Sequence, residues 1–403
     1  MNDIKDVVLN ELKENDGILQ MKPSFVSRDY LPSGKRLGLR DSEYDTGKRG
    51  EICERWLVSE TQADNRYYVE HEGQSHLEMK TSKDADVLLP DALCCCPAEI
   101  LGEEYSEKHK GLDRLLKVFD YKTRLFYHFH QMEADAKKVG RNCKEEAYYF
   151  LDADTGAHPE TFFGIHPYIV RKNLQSDIFL PLMKEWAGEE ILKYTKAYLN
   201  VPGEGFHVPA GILHAPGTAL TLELQESSDV MAILQGKVEN YVMPESLMFK
   251  DIPKEEVEKE HEQAVLDEVD WHACSDPYFF ENHHLSPQKY KEFQGGCEEW
   301  VWYNSSKFSG SRITIQPRNS YVSKALGVHG IFVWQGVGQL DNFHIEGQKV
   351  SLEHTDDEFL ITHDKALSGV KFVNTGDIPL VVFKFFGPDI NNSIVPHIEK
   401  IEF

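Results

Sequence analysis

The stretch Ala197–Asp229, AYLNVPGEGFHVPAGILHAPGTALTLELQESSD, decides how the rest of the chain is read. It spells strand, turn, strand, tight turn, strand. Gly203 and Gly205 permit positive φ at a first hairpin, and Pro209 with Gly211 serve the next. His214 closes a Pro-x-Gly-x-x-His element. Beyond it Thr221, Glu223 and Gln225 alternate with Leu222 and Leu224, the period of a strand with one polar and one apolar face. A polar face that carries a carboxylate and lies beside a histidine suits the inside of a small β-barrel that holds a ligand.

Working outward, the segment before this stretch supplies partners for His214. In VFDYKTRLFYHFHQMEADAKKVG, Leu125, Tyr127 and Phe129 alternate with Phe126, His128 and His130. The two histidines therefore share one face of a strand, about 7 Å apart along it before their rings converge. A chain with 18 histidines contains such pairs by chance, so the pair gains meaning only from its neighbours. Lys144–Leu151, KEEAYYFL, reads as a further strand that carries Glu146. Ile52–Ser59 reads as a strand covered on both sides, because neither of its faces is cleanly polar.

Elsewhere the pattern is coarser. Residues 4–14 predict a short helix with Leu9 and Leu12 inward, ended by Asn15-Asp16-Gly17. Ala98–Leu116 reads as helical, ending in an apolar face of Leu112, Leu115 and Leu116, and 176–196 as an amphipathic helix. From Lys237 to Gly296 the text is charged and helical, its charges read as a solvated face and its His261, His272, His283 and His284 as surface groups. From Trp300 to Asp389 short strands return (SRITIQP, GIFVWQGVGQL, EFLITHD, VKFVNTG, LVVFKFFG), separated by Gly, Asn and Asp turns. This second β-unit holds His329, His344, His354 and His363 but no His-x-His pair, and is expected to be metal-free. The expected fold is mainly β, two jelly-roll barrels with a few helices. The expected division is 1–235 for the N-terminal segment and metal-binding barrel, 236–296 for a helical connector and 297–403 for the second barrel.

Composition narrows the function. At 403 residues and a formal net charge of −24, the chain is a poor partner for nucleic acid or an anionic membrane. The N-terminus lacks the apolar core of a signal peptide, and no stretch is long enough to span a bilayer. The seven cysteines (Cys53, Cys94–Cys96, Cys143, Cys274, Cys297) include no Cys-x-x-Cys pair and are read as reduced thiols of a cytoplasmic protein. The run Cys94–Cys96 is read as small buried hydrophobes.

A His-x-His strand, a glutamate on a nearby strand and a histidine after a Pro-x-Gly-x-x-His turn together make the cupin pattern. Imidazoles with one carboxylate suit Zn²⁺, Fe²⁺ or Mn²⁺ with positions left open for substrate. The likeness goes further. GEICERWLVS, GLDRLLKVFDYKTRLFYHFHQMEADAKKVG, NCKEEAYYFLDAD, TFFGIHPY and the opening stretch resemble, in sequence and order, the class I mannose-6-phosphate isomerases over roughly residues 30–235. That resemblance implies a metal held by His130, Glu146 and His214, with His128 standing where the family usually has a glutamine. It implies one divalent metal, Zn²⁺ first and Fe²⁺ or Mn²⁺ as alternatives. Lys144, two residues before Glu146, would touch the substrate, and Glu223 would carry the proton; Gln225, on the same face as Glu223, is a candidate substrate contact.

The implied reaction is aldose–ketose isomerisation of a sugar or sugar phosphate, with the proton moved between C1 and C2 through an enediolate that the metal stabilises. Two positions depart from the family pattern. Gln131 replaces a proline after the metal histidine, and Ile233 stands where the family places an arginine. Arg171, Lys172 and Lys237 are candidates to replace that arginine. Two other readings stay open: a cupin enzyme of another class (epimerase, lyase or oxygenase), and a non-catalytic sugar-binding or regulatory protein. A homodimer is a further expectation.

Overall fold

The computed structural model describes residues 2–403, with side chains from Ile4 onward. Its architecture is mainly β, built from antiparallel sheets stacked in layers. The N-terminal seven-stranded sheet runs, in spatial order, His284–Leu285, Gly205–Val208, Glu146–Phe150, Thr221–Glu226, Arg114–Phe119, Glu51–Leu57, Ser24–Arg28. Facing it is a five-stranded sheet in the order Ala232–Ile233, His128–Phe129, His214–Ala215, Glu160–Phe163, Lys196–Leu199. Phe119, Tyr148, Phe150 and Phe206 of the first sheet and Phe129, Phe163, Ala215 and Ile233 of the second share one core.

The C-terminal half repeats the plan. A seven-stranded sheet (Ile18–Gln20, Glu358–Ile361, His329–Gln335, Leu380–Phe386, Ser309–Ile315, Gly296–Trp302, Gln288–Phe293) faces a four-stranded one (Ser320–Ser323, Val370–Asn374, Val337–Leu340, Phe343–Glu346). Ile313, Ile331, Phe359 and Val382 meet Leu340, Ile345 and Phe372 between them. Among the described residues the hydrogen-bonded ladders do not close around either half, so each is a pair of facing sheets across a core. Ile18–Gln20 pairs with Glu358–Ile361, which takes the N-terminal segment into the C-terminal sheet.

The two seven-stranded sheets pack back to back. Leu222 and Leu224, the apolar side of the opening strand, join Leu116, Val118 and Tyr149 against Trp302, Phe383 and Phe385. The Tyr149 ring lies 5.0 Å from that of Phe383. Buried within this seam, Arg55 donates to Asp357 at 2.8 and 2.5 Å and to Glu358 at 3.0 Å. Burying the alternate side of Thr221–Glu226 this way leaves Thr221, Glu223 and Gln225 directed at the five-stranded sheet.

Several segments differ from the sequence expectation. Ala98–Leu116 is not one helix: short helices span Pro97–Leu101 and Glu103–Lys108, and Arg114–Phe119 is a strand. All six residues of that strand are buried, between Thr221–Glu226 and Glu51–Leu57. A strand covered on both faces has no period of two, so three leucines at helical spacing misread as a helix. The helix at 176–196 shortens to Gln175–Lys184, followed by a 3₁₀ turn at Glu189–Tyr194; Trp186 has φ +51 between them. In the connector, Ala264, Val265 and Leu266 are buried, so its charges cover an apolar face. His283 is buried there rather than on the surface. Cys96 is buried but Cys94 is exposed, and all seven thiols are free. Among the described residues, no helix is long and apolar enough to cross a membrane.

Candidate metal centre

The tight turn before His214 brings three histidines together. Pro209 and Gly211 (φ +85) return the chain so that His214 stands in register with His128, and His130 follows two residues along. The ring centroids are 4.1 Å apart for His128–His214, 5.0 Å for His128–His130 and 5.1 Å for His130–His214. One ring nitrogen from each lies within 4.8 Å of the others, a group that could hold a metal ion. All three histidines are buried.

Each imidazole is oriented from behind. Nδ1 of His128 lies 2.8 Å from the Phe126 carbonyl, that of His130 2.7 Å from the Val230 carbonyl, and that of His214 2.8 Å from the Ile212 carbonyl. A carbonyl only accepts, so each Nδ1 carries a hydrogen, and the rings turn Nε2 inward. Burial, then the neighbouring His214 and His130 rings, holds His128 well below the usual histidine range. Burial and Lys144 push His130 down to about 3.

Glu146 stands outside the three-histidine group but touches two of its members. Its Oε2 is 3.1 Å from His130 Nε2, and its Oε1 is 3.1 Å from His214 Nε2. Tyr148 donates its hydroxyl to Oε1. Burial disfavours the charged carboxylate, but Lys144, His130 and His214 outweigh it and keep Glu146 well below the carboxylate range. His214 Nε2 and Glu146 Oε2 have no directed hydrogen bond although both are buried; the 3.0 Å approach of Lys144 Nζ to Oε2 is an ion pair. An orphaned imidazole nitrogen and carboxylate oxygen, His214 Nε2 and Glu146 Oε2, within a cluster of three ring nitrogens are a donor set that a divalent cation completes.

Lys144 and Glu223 lie immediately alongside. Lys144 Nζ is 3.0 Å from His130 Nε2 and 3.1 Å from Glu223 Oε1. Burial would lower its pKa, but Glu146 and Glu223 prevail and raise it. Glu223 is also 3.1 Å from Lys117, its cross-strand partner. Burial and the Glu146 charge raise the Glu223 pKa against the pull of both lysines. Gln225 goes elsewhere: its Nε2 donates to the carbonyls of Ser228 at 2.5 Å and Glu226 at 3.0 Å. It braces the following turn and does not line the cleft.

That cleft reaches His128, His130, Lys144 and Glu223. Its volume is about 40 Å³, room for a few waters, so a hexose enters only if the half-buried Tyr30, Leu125 and Met231 at its rim give way. A larger cleft of about 450 Å³ beside Arg141 and Lys307 contains none of these histidines. Sequence reading missed two cations of the small cleft, Arg28 and Lys117. Lys117 had left a signal, a charge inside the apolar run LLKVF; Arg28 left none. Arg171, Lys172 and Lys237 are exposed and do not line the cleft. Ile233 is fully buried and in register with His128.

Fold and site together define a protein of paired, facing β-sheets with a buried three-histidine group that could bind metal. The particular fold is that of mannose-6-phosphate isomerases. The chain matches the mannose 6-phosphate isomerase of Bacillus subtilis with a TM-score of 0.61 at 16% identity, over 91% of this chain and 99% of that one. A zinc-bound mannose 6-phosphate isomerase matches with a TM-score of 0.61 at 14% identity, over 92% and 100%. A phosphomannose isomerase variant from Salmonella typhimurium matches with a TM-score of 0.60 at 13% identity, over 92% and 100%. No family model matches the sequence, and no curated protein does.

Proposed function

We propose that the chain is a divergent class I mannose-6-phosphate isomerase-like protein, a metal-dependent aldose–ketose isomerase of a sugar or sugar phosphate. The observation that carries this is the set of three histidine ring nitrogens within 4.8 Å of one another beside Glu146, with a second carboxylate, Glu223, one lysine away. In this reading residues 1–235 carry the site, 236–296 connect and 297–403 support it. The free thiols suit a cytoplasmic protein.

His128, His130, Glu146 and His214 are the metal ligands, with Zn²⁺ the best match to three imidazoles and one carboxylate and Fe²⁺ or Mn²⁺ next. A bound divalent ion would supply Lewis acidity beside the sugar carbonyl. Glu223 takes the proton from C2 of the open-chain aldose and returns it to C1, while a proton passes from O2 to O1. Lys144 and Lys117 hold the Glu223 carboxylate in place and offer N–H donors to sugar oxygens.

The test begins with elemental analysis of protein purified without chelator, where about one divalent ion per chain is expected. Absence of metal would sink the reading. The reaction is then followed by loss of the C2 hydrogen of an aldose to solvent and by ketose formation. A second reading, sugar binding without turnover, is favoured by the clamping of Glu223 between two lysines; binding without hydrogen exchange would select it.

A further inference from the structure

We infer that this site takes an uncharged sugar rather than a sugar phosphate. The inference rests on the isomerase reading for the identity of the pocket and on charge pairing for the choice of substrate. A phosphate ester needs a cation with free donors, as a guanidinium or ammonium offers. The cleft has three cations, Arg28, Lys117 and Lys144, and they face three lining carboxylates, Glu54, Glu223 and Asp229.

Arg28 is the natural candidate to replace the arginine whose position is held by Ile233, and it is already spent. Its Nε donates to Glu54 Oε1 at 2.9 Å, and Nη2 to Glu54 Oε2 at 3.1 Å and Asp229 Oδ1 at 3.2 Å. Its Nη1 donates to Asn65 Oδ1 at 2.8 Å and Asp229 Oδ2 at 3.2 Å. A guanidinium has five N–H groups, and all five are used. A phosphate that captured Arg28 would strip the counter-ion from Glu54, which is 3% exposed, and leave a buried charge unpaired.

The lysines are little freer. Lys144 is within 3.1 Å of His130, Glu146 and Glu223. Lys117 lies 3.1 Å from Glu223 and 3.9 Å from Glu54. Among the described residues no further cation lines the cleft, whose half-buried residues are Tyr30, Leu125, Met231 and Asp229; Lys250, which bonds the Asp229 carbonyl, is itself paired with Asp251 and Asp64. Mixed donors and acceptors with a balanced charge suit hydroxyl groups, which both give and accept hydrogen bonds.

The experiment uses the full chain with the metal it carries on purification. Ketose formation is measured from mannose and glucose and from their 6-phosphates, and calorimetry measures binding of a non-reacting open-chain polyol and of its phosphate ester. The expected result is kcat/KM higher for the free sugar by more than about tenfold, and tighter binding of the free polyol. Equal or better turnover of the phosphate ester overturns the inference and leaves the isomerase reading standing. If no aldose turns over, preference for the free polyol upholds the inference while the isomerase reading falls. Preference for the phosphorylated polyol overturns the inference whatever the turnover, and binding of neither overturns both.

Discussion

Tyr148→Phe tests the assignment of Glu146 as a metal ligand more sharply than removing Glu146 itself. The Tyr148 hydroxyl donates to Glu146 Oε1, while the ring packs against Phe119 and Phe163 at centroid distances of 5.8 and 6.3 Å. Phenylalanine keeps the ring contacts and deletes only the hydrogen bond that aims the carboxylate. Loss of a group that orients a ligand lowers metal affinity about 10–100-fold, or about 1.4–2.7 kcal/mol. With free metal at about 1,000 times the wild-type Kd, metal stabilises the native wild-type protein by about 4.1 kcal/mol; the variant should retain about 1.4–2.7 kcal/mol of that. The assay is titration of metal-stripped protein with Zn²⁺ against a competing fluorescent chelator, paired with thermal melts at fixed free metal. Melts of both proteins without metal come first, because the lost bond to a charged group itself costs about 1.5–3 kcal/mol. An affinity for Zn²⁺ unchanged from wild type, in a variant that folds, would refute the assignment of Glu146.

The other expectations are briefer. His214→Ala should reduce metal in the as-purified protein from about one ion per chain to near none, read by elemental analysis. Glu223→Gln should keep the metal but slow exchange of the C2 hydrogen by about 10²–10⁴-fold, measured by NMR in heavy water; unchanged exchange would remove Glu223 from proton transfer. Arg55→Met leaves Asp357 and Glu358 buried without their cation and should lower stability by about 3–5 kcal/mol in urea unfolding, with no change in metal stoichiometry.

The site was more legible in the sequence than the scaffold around it, for a physical reason. The turn Pro209–Gly211 and the pair His128/His130 are local patterns, and carbonyls two residues back orient His128 and His214, whereas His130 takes its direction from Val230, 100 residues on. His128, His130 and His214 lie together as a group that could hold a metal, and Glu146 approaches His130 and His214. Arg114–Phe119 was misread because its burial is decided by two strands distant in sequence, which erase any period. Gln225 shares a face with Glu223, but its amide finds the Ser228 carbonyl before it finds the cleft. Arg28 could not be read at all: nothing in SFVSRDY foretells that Glu54 and Asp229, 26 and 201 residues away, converge on it.

The two halves of the molecule show why the same pair of sheets makes a site in one and a plain core in the other. Between the C-terminal sheets, Glu298 meets Lys384 at 2.7 Å and accepts from Ser311 at 2.7 Å and Tyr321 at 2.9 Å, and Lys384 donates to Ser323 at 2.9 Å. This buried polar cluster satisfies itself. Between the N-terminal sheets the polar groups do not balance locally: His214 Nε2 and Glu146 Oε2 keep inward lone pairs with no directed donor. Leaving such groups buried is costly unless something supplies the missing positive charge. Lys144 meets part of that demand through His130 and Glu146 but does not reach His214 with a hydrogen bond. The remaining deficit on His214 Nε2 and Glu146 Oε2, beside two further imidazoles, is the physical argument for a cation in this half of the fold, and it holds whichever sugar the cleft admits.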